Sequence, residues 1–263
     1  MPFATSADGT RIAYETAGSG PALIIVDGAM CYRESGPSRP LSAALSPYFA
    51  VTIYDRRSRG ESGDTQPYAV DREIEDLQAV IKAVGGPVYL YGASSGGMLA
   101  LLTAARTGEV KRVMSYEAPV IVDAQHQAMT QADINETEAM VAAGRRSDAI
   151  KKFMRFVDVP GFALLMMSMM GVFKKIGVVA HTLPNDYRLM FPYQQGKPLP
   201  PAPFDLIRVP VLIADGGKSP PWMRSGQRAL ATAVSGADYG TVEGQTHIVN
   251  PKAQLPLIRE FFA

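Results

Sequence analysis

The chain has 263 residues, 47% of them hydrophobic and 19% charged, with 26 basic against 25 acidic side chains. That is enough for one large core, and it lacks the basic excess of a nucleic-acid binder. One cysteine, Cys31, excludes an intrachain disulfide, and with three scattered histidines it leaves no metal-ligand spacing, so no metal and no cofactor are expected.

Taken in order, short β-rich runs alternate with helical patterns. The start, MPFATSADGTRIAYET, has no basic patch followed by an apolar run, so no secretory signal is read and a cytoplasmic location is expected. Residues 11–16 alternate in polarity like a half-exposed strand. Residues 22–26 (ALIIV) form a continuous apolar run, as a buried parallel strand does, and 51–54 (VTIY) repeat it. Residues 71–84 place Ile74, Leu77, Ile81 and Val84 at helical spacing, with Asp71 as a candidate cap and Gly85-Gly86-Pro87 as the stop. A strand at 88–91 leads into a buried helix at 95–106, and another strand follows at 110–116. From 121 to 203 the alternation gives way to helical, Met-rich sequence, whose most apolar stretch, 162–173, is too short to span a bilayer. Residues 196–203 (GKPLPPAP) read as a linker. Strand, helix, strand and helix then resume near 209–214, 222–234, 237–242 and 252–262. Alternation of this kind predicts a mostly parallel sheet covered on both faces. The expected division is a core of 1–120 and 204–263 with a helical cap at 121–203.

Chemistry concentrates in Gly92-Ala93-Ser94-Ser95-Gly96, a G-x-S-x-G pattern between a predicted strand and a predicted helix. At such a bend small neighbours let strand and helix approach, Ser94 projects as a nucleophile, and the following N–H groups open a helix start that favours negative charge. Ser95 is the alternative nucleophile, but its own register would need glycine at Ala93. His247 lies in a Gly-Gln-Thr-His segment between a short predicted strand and the last predicted helix. His126 and His181 fall in the presumed cap and read as packing or surface residues.

These features resemble the α/β-hydrolase superfamily over nearly the whole length: the GASSGG bend, the Val26-Asp27-Gly28-Ala29 segment, the YDRRSRGESG segment at 54–63, and the late histidine. The resemblance implies a twisted, mostly parallel sheet flanked by helices, with the cap inserted after the sixth strand of that fold. It also implies a Ser94–His247 pair and an oxyanion hole from the backbone N–H groups of Ala29 and Ser95. Asp27 replaces the histidine common in relatives, and a negative charge there would oppose an oxyanion unless turned away or paired, with Arg33 or Arg57 as candidates. Where most relatives place the triad acid after the seventh strand, this chain has Ser219. Some members use an acid after the sixth strand, where Glu117 lies. Glu117 is the favoured acid and Asp215 the alternative.

The expected reaction is hydrolysis of a carboxylic ester or lactone of a small, largely apolar substrate through an acyl-enzyme. Rival readings are a non-hydrolytic ligand-binding protein of the same fold, or an acyltransferase, lyase or carbon–carbon hydrolase using the same residues. Met30, Cys31, Met166 and Met170 are the candidate substrate-binding residues. Neither nucleic acid nor membrane is an expected partner, and a monomer or homodimer is the expected assembly.

Overall fold

The computed structural model describes residues 2–263. Eight strands are present: Phe3–Thr5 (β1), Arg11–Ala17 (β2), Ala22–Val26 (β3), Ala50–Tyr54 (β4), Val88–Ala93 (β5), Val110–Tyr116 (β6), Val211–Gly216 (β7) and Asp238–Val242 (β8). They form one sheet in the order β1-β2-β4-β3-β5-β6-β7-β8. Strand β2 pairs antiparallel with both β1 and β4, and β3 to β8 pair in parallel. Parallel strands need crossovers, and the helices Ser38–Leu45 (α1), Val70–Ala83 (α2), Ser95–Ala104 (α3) and Pro221–Ala233 (α9) supply them, while Pro251–Phe262 (α10) follows the last strand.

Each central strand is apolar on both faces because each face meets helices. Ile24 and Val26 pack into the cluster holding α2, α3 and α9, while Leu23 and Ile25 pack into the cluster holding α1 and α10. Helix α3 lies between the sheet and other helices, and all ten of its residues are buried. This explains its lack of a polar stripe.

Between β6 and β7 none of the described residues joins the sheet. Helices form at Gln131–Ala142 (α4), Arg146–Phe156 (α5), Gly161–Met169 (α6), Val172–Ile176 (α7) and Leu183–Met190 (α8), with 3-10 turns at Gly177–Thr182 and Phe191–Tyr193. They enclose a small apolar cluster of their own, and Met30 of the loop after β3 packs against it.

Three local expectations change. Helix α1 has no predicted counterpart, because its start is rich in Pro and Ser; Leu41 and Leu45 bury one face. Asp71 does not cap α2, whose N-cap is Ala69; Asp71 sits in the first turn, where a carboxylate favours the helix dipole, and pairs with Arg106. Strand β7 begins two residues later than 209, since Pro210 has no N–H for the ladder. The strand also ends later than 214, at Gly216, which puts Asp215 inside it.

Candidate active site

Ser94 stands between β5 and α3 with φ 56° and ψ −132°. A non-glycine residue held there is strained, and tight packing maintains it. A Cβ on Gly92 would lie 2.3 Å from the Gly96 carbonyl, and one on Gly96 would lie 2.1 Å from the Val26 carbonyl. Glycine at both positions is what lets strand and helix close on the bend. Gly28 presses on the serine itself, since a Cβ there would lie 2.8 Å from Ser94 Cβ.

The parallel ladder brings in the acid. Ala93 pairs with Tyr116, and Ser94 N–H donates to the Tyr116 carbonyl at 2.8 Å. The next residue, Glu117, also has positive φ, 49°. Its side chain is fully buried. Oε1 accepts the Gly216 N–H at 2.7 Å, and Oε2 lies 3.0 Å from His247 Nδ1. The loop carrying His247 is held from beneath, because the Tyr116 hydroxyl donates to the Thr246 carbonyl at 2.6 Å. Of five non-glycine residues with positive φ among the described residues, three belong here: Met30, Ser94 and Glu117. The histidine ring is 43% exposed. Ser94 Oγ makes no hydrogen bond among the described residues, so the serine and the Glu117–His247 pair are neighbours without a direct link.

Asp215 is engaged elsewhere. Its Oδ2 accepts from Arg224 Nε at 2.9 Å and from the Tyr239 hydroxyl. Ser95 offers no free hydroxyl either: its Oγ donates to Asp186 at 2.8 Å and accepts from Arg56 at 3.2 Å. Its N–H, however, opens α3, where helix geometry leaves donors unused. The Ala29 N–H makes no backbone hydrogen bond among the described residues.

A buried ionic cluster lies under this loop. Arg59 donates to the carbonyls of Gly28 (2.6 Å) and Cys31 (3.0 Å) and to Asp186 Oδ2 (2.7 Å). Arg56 is clasped by Glu73 and donates to Asp186 Oδ1 at 2.9 Å. Burial would raise the Asp186 pKa, but Arg59 and Arg56 hold it below the usual carboxylate range. Asp186 comes from α8, 92 residues after Ser94 in sequence, and no local motif marks it. Arg56 and Arg59 sit in the YDRRSRGESG segment, so that half of the cluster was visible.

Neither candidate partner forms an ion pair with Asp27. Arg33 binds Asp55 and Glu61, and Arg57 binds Asp76 and Asp8. Burial pushes the Asp27 carboxyl up to about 6, only partly offset by the nearby Ser38 hydroxyl and the Arg59 and Arg56 charges. Neither carboxyl oxygen has a partner in good hydrogen-bonding geometry. Burial, and then the Asp27 charge, push the Cys31 thiol up to about 12, which makes it a poor nucleophile.

Met30 joins the apolar cluster of the insertion, as does Met167. Met166 and Met170 are 53% and 72% exposed, so neither lines an enclosed pocket. His181 Nε2 lies 2.8 Å from the Ser58 carbonyl, and His126 packs on Trp222.

A sequence-family model described as the alpha/beta hydrolase family matches residues 19–255. The uncharacterized hydrolase YraK of Bacillus subtilis (strain 168) is 26% identical over 169 residues, which is 62% of this chain and 61% of that protein. The chain therefore spans less than two thirds of that relative's length. An alpha/beta hydrolase from Sphaerobacter thermophilus DSM 20745 is 42% identical over the whole of both chains, with a TM-score of 0.92. The enol-lactonase from Burkholderia xenovorans LB400 is 22% identical over 99% of both chains, with a TM-score of 0.72, a likeness of fold alone.

Proposed function

This chain belongs to the alpha/beta hydrolase family, and we propose that within it Ser94 is the nucleophile of a carboxylic ester or lactone hydrolase. The observation that supports this most is the strained Ser94 bend set beside a buried Glu117 that holds His247 through Nδ1. Glu117 fixes the tautomer that leaves Nε2 free to accept a proton, and it stabilises the imidazolium that results. His247 takes the Ser94 proton as Oγ attacks the acyl carbon. The N–H groups of Ala29 and Ser95 hold the oxyanion, each contributing on the order of 3 kcal/mol to transition-state stability. His247 returns the proton to the leaving alcohol. Water, deprotonated by the same ring, then releases the acid and frees Ser94.

Ser94 and His247 are not hydrogen-bonded here, and such contacts commonly tighten only when substrate is bound. The Met30 side chain and the apolar insertion favour an apolar acyl or ring portion of the substrate. The test is hydrolysis of a p-nitrophenyl ester and lactone panel together with fluorophosphonate labelling. Turnover is expected to fall by about 10⁴-fold or more in Ser94→Ala. Labelling should map to Ser94 and vanish in that variant. Turnover unchanged in Ser94→Ala overturns the assignment. Absence of both turnover and labelling in the wild type favours a ligand-binding protein of the same fold.

A further inference from the structure

Helix α6 reads GFALLMMSM, with no charged residue. A helix apolar all round is ordinarily covered on every side. Here only Leu164 is buried. Phe162, Leu165, Met166, Met169 and Met170 recur at the spacing of a single stripe along α6 and its C-cap, and they are between 53% and 72% exposed. Most other large apolar side chains of the molecule are buried; the exposed Ile248, at 78%, adjoins His247 in sequence. A contiguous exposed face of this kind marks a contact surface.

Its electrostatic setting is as uneven as its hydropathy. Residues 145–175 contain seven basic side chains and two acidic ones, a net +5, whereas the whole chain is only +1. The remainder of the molecule is therefore net −4. The excess sits on the helices that carry and flank the stripe. Arg146 and Arg155 on α5 and Lys174 on α7 are exposed, and Lys151 lies over the Phe173 ring at 5.5 Å. Lys152 is the exception, neutralised by Asp133 and Glu136.

We infer that the outer face of α6 docks on an anionic lipid–water interface, with the apolar stripe entering the acyl boundary and the basic side chains of α5 and α7 meeting the headgroups. An apolar strip beside basic residues is the arrangement that lies in such a surface without spanning it. Among the described residues no helix is long and apolar enough to cross a membrane, and this mode of contact needs none. A second copy of the chain fits the charge less well. A two-fold pairing through α6 would set the two basic clusters against each other.

The experiment is vesicle flotation with phosphatidylcholine alone and with about 30 mol% phosphatidylglycerol added, at low salt and at about 0.5 M salt. Wild-type protein is expected to bind the anionic vesicles at least about tenfold better than the neutral ones, and to release at high salt. The Leu165→Glu/Met169→Glu double variant places two charges on exposed positions of a helix whose main contacts are with α5 and α7. It should fold, keep its turnover of a soluble ester, and lose vesicle binding. Ser94→Ala should bind vesicles like the wild type, so a failure of the catalytic reading and a failure of this one are told apart. The inference is overturned if anionic lipid gives no preference or if the double variant still binds. It is equally overturned if sedimentation shows a wild-type dimer that the double variant converts to monomer.

Discussion

At the scale of single residues, two carboxylates at neighbouring strand ends have different environments and so different expected consequences. Glu117 is buried between the Gly216 amide and the His247 ring. Glu117→Gln keeps the shape but loses the charge that supports an imidazolium, so kcat should fall on the order of 10³–10⁴-fold. Asp215→Asn disturbs only Arg224 and Tyr239 and should leave kcat within about threefold. Steady-state kinetics on one soluble ester decides between them, and the reverse order of effects would make Asp215 the acid. Asp27 shows the opposite case, a charge that opposes folding. Its folded pKa of about 6 lies above the ordinary 3.8, so the folded state holds the proton to higher pH than the unfolded chain does. Stability is therefore lost as pH rises from about 4 to about 6, and the loss is complete above that. Asp27→Asn should raise stability by about 2–3 kcal/mol at pH 7.5 and by little at pH 4, a difference readable in Tm at the two values. Cys31, with its thiol pushed up to about 12, should resist iodoacetamide at pH 8 in the native state and react on unfolding.

Elements interact here through small residues and one buried charge cluster. The approach of α3 to β3 and β5 depends on glycine at 92 and 96, where a methyl group would meet backbone rather than a movable side chain. Gly96→Ala should cost about 3 kcal/mol or prevent folding, as chemical denaturation would show. Helix α8 reaches the reacting end through Asp186, which receives Arg56, Arg59 and Ser95. Asp186 is the carboxylate that Arg56 and Arg59 share, so Asp186→Asn removes one partner of a buried ion-pair cluster and should destabilise by about 3–5 kcal/mol. Because Arg59 also holds the Gly28 and Cys31 carbonyls, the same variant should lower kcat with little change in KM. An unchanged kcat in the folded variant would reduce Asp186 to a purely structural role.

Across the whole molecule the parallel sheet ordered the chemistry, and much of that order was legible in advance. The apolar runs at 22–26 and 51–54 show as strands because a strand buried on both faces has few polar positions. Ser94 shows because a strand-to-helix bend around a serine demands small residues on either side, and that demand is local. His247 shows by its order in the chain. Helix α1 and the α8 contribution were hidden for complementary reasons: α1 has weak local signals and is held by packing, and Asp186 acquires its role only from groups far away in sequence. The charge division, +5 in 145–175 against −4 elsewhere, is present in the sequence, but its association with an uncovered apolar stripe needed the helices to be placed. Local sequence alone determined the class of fold, the bend at Ser94 and the late histidine, because each follows from contacts between residues near in the chain or from strand periodicity. Only the tertiary structure decided that Glu117 rather than Asp215 holds the histidine, that Asp27 is left without a counterion, and which methionines face water. Those outcomes depend on which strand ends and helices meet in space, and side-chain charges respond to neighbours that sequence spacing does not specify.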